Sequence, residues 1–306
     1  DVEDMVEATA AIDREDNVYV GVWGGQVLGI RGHDGEIMWK QSFGSSSISS
    51  GITLLRDGTI AFGSDDGRVR FLSETNFVPP TKTSSMAPPD SPTIDSTNSN
   101  EECSTQQHKV WSEFRGGHRN AYSGQTNLEG PERFDIMWTI RRGMSFSASP
   151  VFDENERRMF VGNADGYLYA FEIDSNKVVE VWKVDMGGTI VSTASVYDGK
   201  VFVGSWDQCI RAVDASSGEL IWKFHTNEPV SSSPSIHPDG THLIVGSGDG
   251  RVLSIRTDTG TIRWEFQAQG SVHSSPTISH DGKIVVVSRW DHKVYALSAL
   301  DGTMLW

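Results

Sequence analysis

Val201-Phe-Val-Gly-Ser-Trp-Asp-Gln-Cys-Ile-Arg-Ala-Val-Asp-Ala-Ser-Ser-Gly-Glu-Leu-Ile-Trp222 lies almost residue for residue over Leu243-Ile-Val-Gly-Ser-Gly-Asp-Gly-Arg-Val-Leu-Ser-Ile-Arg-Thr-Asp-Thr-Gly-Thr-Ile-Arg-Trp264. Both stretches are short apolar runs separated by glycine turns, and both end on tryptophan. The same ending recurs at Trp39, Trp111, Trp182 and Trp306. From Trp182 onward the spacing is 40, 42 and 42 residues. A repeat of this length built only from strands and turns predicts a β-propeller.

Within a unit the pattern predicts four antiparallel strands, A to D. Strand A carries small residues, as in Ser231-Ser-Ser-Pro-Ser-Ile and His273-Ser-Ser-Pro-Thr-Ile. Strand B is an apolar run such as Ile284-Val-Val-Val, strand C alternates, and strand D ends at the tryptophan. Turns fall at Asp57-Gly58, Asp165-Gly166 and Asp301-Gly302, among others. Glycine accepts the positive φ that a twisted hairpin requires. Small residues suit the crowded axis. The repeated tryptophans suit wedges between blades, with a solvent-facing aromatic ladder as the alternative.

One unit is interrupted. Residues 75–108 are rich in Ser, Thr, Pro and Asn, without apolar periodicity. Such a stretch buries too little surface to offset its ordering entropy, so a disordered insert is expected. The pattern resumes at Lys109-Val-Trp111-Ser-Glu-Phe. The expected blades are therefore 1–39, 40–74 plus 109–114, 145–183, 184–223, 224–265 and 266–306, all in one domain. Residues 115–144 form an irregular seam holding an extra strand at Trp138.

The formal net charge of −15 argues against nucleic acid or an anionic membrane as partner. No apolar run is long enough for a transmembrane helix. Cys103 and Cys209 are expected to stay unpaired, and no Cys/His spacing typical of a metal site occurs. The chain opens at Asp1, as a mature product or an excised piece would, and it lacks any Asn-x-Ser/Thr acceptor.

Ala212-Val-Asp214-Ala-Ser-Ser-Gly218-Glu-Leu-Ile-Trp222 resembles the pyrroloquinoline-quinone (PQQ)-type propeller repeat, and Ala296 to Trp306 matches it more loosely. The resemblance covers nearly the whole chain outside the insert. It implies an all-β propeller of about six to eight four-stranded blades, here with incomplete blades at the termini, working outside the cytoplasm. It is similar both to quinoprotein dehydrogenases, which use PQQ and Ca²⁺, and to non-catalytic BamB-like members. Trp111 to Gly124 is also similar to the stretch that opens such propellers, so two readings of Trp111 stand. The dehydrogenases carry an adjacent Cys-Cys pair, which this sequence lacks. The Asp residues recur in hairpin turns, where turn geometry already explains them. The expectation is thus a non-catalytic scaffold or binding module without PQQ, Ca²⁺ or another cofactor. A quinoprotein-like oxidoreductase, or the accessory propeller of a larger enzyme, is the alternative.

The copies disagree most informatively in their B–C turns. There Trp23, Trp206 and Trp290 replace a small or polar residue, Arg289 replaces Ser, and Gln208 and His292 replace Gly. Exposed Trp and Arg anchor interfaces. Trp23, Trp206, Trp290 and Arg289 are therefore candidate binding residues for a protein, peptide or glycan. The competing reading packs each Trp on the next blade's turn.

Overall fold

The computed structural model describes residues 5–6, 8–73, 135–174, 177–288 and 293–306. Among these, every regular element is a strand. Five four-stranded antiparallel sheets and one three-stranded sheet form six successive blades of an all-β propeller. No helix of the described residues is long and apolar enough to cross a membrane.

The fourth blade shows the plan. Its strands are Ser195–Tyr197, Lys200–Ser205, Cys209–Asp214 and Leu220–His225. Strands B and C are buried nearly throughout because both faces meet neighbouring blades. Strand D alternates between exposed and covered residues, as a half-solvated edge should. A bulge between Ala212 and Val213 sets Trp222 opposite Ala212. The same bulge sets Trp39 opposite Gly29, Trp182 opposite Ala170 and Trp264 opposite Ser254. The extra residue increases local twist and aims each indole ring at the next blade.

The second blade corrects the sequence-based expectation. Its strands are Thr53–Leu54, Ile60–Ser64, Arg68–Ser73 and Asp135–Arg141. The last pairs with strand C over six positions, with Trp138 opposite Phe71 at the same bulge. Trp138 therefore closes the second blade, and no seam strand exists at 135–141. Asp135-Ile-Met-Trp-Thr-Ile-Arg141 offers a longer pairing run than the three residues ending at Trp111, and it fills the free edge of strand C. Trp111, the 75–108 insert and the 109–114 segment lie outside the described residues.

Neighbouring blades are joined by three kinds of contact. Near the axis, a hydrogen-bond chain runs from blade to blade. The Gly51 N–H donates to Ser149 Oγ (2.8 Å), Ser149 to Thr193 Oγ1 (3.1 Å), Thr193 to Ser233 Oγ (3.0 Å) and Ser233 to Ser275 Oγ (3.0 Å). Two residues further on, hydroxyls donate to the next blade's proline carbonyl: Thr53 to Pro150 (2.6 Å), Ser195 to Pro234 (2.5 Å) and Ser235 to Pro276 (2.7 Å). The serines of strand A are thus paired polar groups in a buried layer, as burial demands. At the rim, Trp182, Trp222 and Trp264 donate Nε1–H to Ala215, Thr257 and Ala299 of the following blade, at 3.2, 3.0 and 2.8 Å.

On the A–B side, Glu156 sits at φ 54°, where other blades place Gly58, Gly240 and Gly282. A side chain there carries a strain of about 1 kcal/mol. Its carboxylate accepts the Arg56 N–H at 3.1 and 3.2 Å, tying the third blade to the second. Burial pushes the Glu156 carboxyl up to about 7, against the lowering effect of Arg56. The folded state therefore holds a proton that the unfolded chain loses near its ordinary value of 4.5. Stability is expected to fall as pH rises from about 4.5 to 7, by up to about 3 kcal/mol. Glu156→Gln should remove that slope. Thermal midpoints of both proteins at pH 5 and pH 8 test this, and parallel pH dependence would refute it.

Candidate functional site

Along each blade, B–C turns share one face of the propeller with the segments leading into strand A. Backbone hydrogen bonds lock the two together. Asp65 N–H donates to the Ser47 carbonyl (3.0 Å), Ala164 to Ser145 (2.9 Å), Trp206 to Thr189 (3.0 Å), Gly248 to Pro229 (3.0 Å) and Trp23 to Met5 (3.0 Å). The backbone of this turn position is fixed in every such blade, so its side chain can vary without cost to the frame.

Two of these variable side chains are large and solvent-facing. Trp23 is 44% exposed and Trp206 is 51% exposed. Trp206 Nε1–H donates to Ser231 Oγ of the next blade (3.1 Å), which orients the ring while leaving its surface to solvent. Gln208 in the same turn holds φ 66°, where four other B–C turns place glycine: Gly25, Gly67, Gly166 and Gly250. Trp290 and Arg289 lie outside the described residues, so the pair Trp23 and Trp206 carries the site.

Asp65 holds the equivalent position in the second blade's B–C turn. Its Oδ1 accepts Ser49 Oγ and Ser145 Oγ, both at 3.1 Å. These residues, with Ser147 and Val191, line a cavity of about 650 Å³. No sequence signal paired Asp65 with serines of two different blades. A calcium-held quinone calls for six to eight oxygen ligands, several of them carboxylate. The described lining supplies one carboxylate, so these residues do not fit that group.

Other turn carboxylates serve the frame. Asp66 is bound by Ser64, Arg68 and Arg70, Asp207 by Arg211, and Asp249 by Arg251. Burial alone would raise the Asp207 carboxyl, but the bonds from Arg211 hold it below its usual value. On the opposite face, His237, Asp239 and His242 gather in one A–B turn. His237 Nδ1 lies 2.9 Å from Asp239 Oδ1, and its Nε2 lies 2.8 Å from the Gly282 carbonyl of the next blade. Arg263 Nη1 approaches His242 Nδ1 at 2.9 Å. Burial, then the neighbouring His237, pushes His242 down to about 4. The cluster reads as a hydrogen-bonded link between blades. Cys209 is buried beside His225 Nδ1 at 3.2 Å, and burial raises its thiol, which favours the protonated form.

Comparison with known proteins agrees with this architecture. In the crystal structure of a mitotic checkpoint complex, one chain superposes with a TM-score of 0.66 at 10% identity, covering 98% of this chain and 79% of that one. At that identity the likeness shows the fold alone. In all, 1674 solved chains match, so the fold by itself selects no function. No curated protein matches in sequence. The family profile described as outer membrane protein assembly factor BamB matches residues 135–235 and again 206–306. Those two overlapping matches span more than half of the sequence and the four blades with the clearest repeats, and the chain belongs to that family.

Proposed function

We propose that this propeller is a non-catalytic binding module that presents its B–C turn face to a polypeptide partner. The carrying observation is the pair of half-exposed indoles, Trp23 and Trp206, on backbone positions held rigid by the repeat. Rigid aromatic anchors lose little entropy on binding and dominate interface energetics. Asp65, held by two serines in the adjoining cavity, offers a hydrogen-bond acceptor for a basic or amide group. The family's description as an assembly factor supports a protein partner over a small molecule.

A peptide library displayed on phage, selected on the native chain, tests this reading. The double variant Trp23→Ala/Trp206→Ala should retain the selected peptides at least about 30-fold less well, since the loss of even one anchor costs about 2 kcal/mol. Its thermal midpoint should hardly change, because both rings already face solvent. Equal retention on both proteins, or binding seen only on a glycan array, would defeat the proposal.

A further inference from the structure

Ser49, Asp65, Ser145 and Ser147 share one hydrogen-bond chain, and the chain has a direction. Asp65 Oδ1, a carboxylate oxygen, accepts the hydroxyl protons of Ser49 and Ser145, both at 3.1 Å. Each hydroxyl has a single proton to give. Ser145 spends its own on Asp65, so in its 3.1 Å contact with Ser147 Oγ it accepts and Ser147 donates. All three hydroxyl protons are used within the chain. Val191, also in the wall of the cavity of about 650 Å³, brings no polar side chain. The described side chains therefore offer the cavity acceptors alone. These are the hydroxyl lone pairs and Asp65 Oδ2, which takes no hydrogen bond among the described residues.

The negative charge of this wall is also uncompensated. Other B–C turn carboxylates meet guanidinium groups: Asp66 meets Arg68 and Arg70, Asp207 meets Arg211, and Asp249 meets Arg251. Asp165 gives its Oδ2 to the Met144 N–H at 2.8 Å and to Asn163. Asp65 has no cationic partner among the described residues, while serines from two blades hold its carboxylate in one orientation. Apolar surface adjoins it. Met144, a largely exposed hydrophobic, directly precedes Ser145, and half-exposed Trp23 holds the position of Asp65 in the preceding blade.

Resting on the polypeptide-binding role proposed above, we infer that the cavity at Asp65 is the seat of a lysine or arginine side chain of that partner. Such a group brings several N–H donors, no acceptor and one positive charge, which is the complement of an all-acceptor wall. An amide or a carboxylate would leave an oxygen there without a side-chain donor. Val191 covers the aliphatic stem while the charged head reaches Asp65. Trp23 and Met144 receive apolar residues beside the cation. The carboxylate is already oriented, so little ordering cost is left for binding. The net charge of −15 draws a basic segment toward the protein.

Peptides selected by phage display on the full chain test the seat, with affinities read by fluorescence anisotropy. They should share a lysine or arginine at one position, next to an apolar residue. Asp65→Asn keeps an acceptor for both serines and removes the charge. It should weaken the peptides about tenfold, and selection repeated on that variant should lose the basic preference. Replacing the peptide's basic residue by norleucine should cost the native chain the same factor and cost Asp65→Asn almost nothing. Selected peptides without a shared basic residue, or with equal affinity for the native chain and Asp65→Asn, overturn the seat and leave the binding role standing. Peptides that keep the basic residue and the Asp65 dependence but ignore the Trp23→Ala/Trp206→Ala exchange support the seat and count against the indole anchors. Free n-butylammonium bound as tightly as the peptides also overturns the proposal, because the cavity would then be a site for small amines.

Discussion

Replacing Trp264 or Trp222 by alanine is expected to destabilise the protein by about 3–5 kcal/mol, while Trp306→Ala costs less than about 1 kcal/mol. All three occupy one place in the repeat. Trp222 and Trp264 are 8% and 6% exposed, and each bonds a carbonyl of the following blade. Truncation there opens a cavity between blades and leaves the Thr257 or Ala299 carbonyl short of its donor. Trp306 has no such contact among the described residues and is largely exposed. Gly260→Ala should act from the other side of the Trp222 junction. Its Cβ would lie 2.7 Å from Trp222 Cδ2, and its φ of +71° is already unfavourable for alanine. Denaturant unfolding of the variants measures the contrast. Equal losses at Trp264 and Trp306 would show that the tryptophans stabilise their own blades rather than the junctions.

Arg70→Met is expected to cost about 2–3 kcal/mol, because it takes the bidentate partner from a largely covered carboxylate and leaves it Arg68 and Ser64 alone. Arg70 Nη2 lies 2.5 Å from Asp66 Oδ2 and Nη1 lies 2.5 Å from Ser64 Oγ, with the guanidinium 5.1 Å above the Phe43 ring. Burial alone would raise the Asp66 carboxyl, but the bonds from Arg70, Ser64 and Arg68 hold it well below the usual range. A depressed folded pKa means the folded state releases its proton first. The stabilisation is therefore present above the unfolded value near 4 and is lost as pH falls below it. In Arg70→Met this acid-side loss should shrink. Asp66→Asn in the Arg70→Met background should recover part of the stability, since it removes a covered charge that has lost its bidentate partner. Urea unfolding at pH 7 and pH 3 checks both statements, and an unchanged acid slope in Arg70→Met would count against the pair.

Much of the candidate site was legible in the sequence because repeats act as internal controls. Trp23 and Trp206 stood out as large residues at a small position, and the structure places both rings in solvent. Asp65 occupies the same position in the second blade, but its partners Ser49 and Ser145 come from two different blades and no local pattern joins them. The second blade misled for a related reason. Trp111 and Trp138 both follow short apolar runs, so local pattern fits either. Only the pairing of Trp138 with Phe71 across the C–D edge decides between them.

Local pattern was enough to specify the four-stranded unit, its turns and the propeller they build. Those features depend on alternation and on glycine at positive φ, which are properties of neighbouring residues. The serine hydroxyls near the axis were legible only as small side chains. Their inter-blade hydrogen bonds appeared with the fold. Tertiary structure alone decided which tryptophan is covered. Trp222, Trp264 and Trp306 end nearly the same local sequence, yet burial depends on whether the next blade's turn is there to cover the ring.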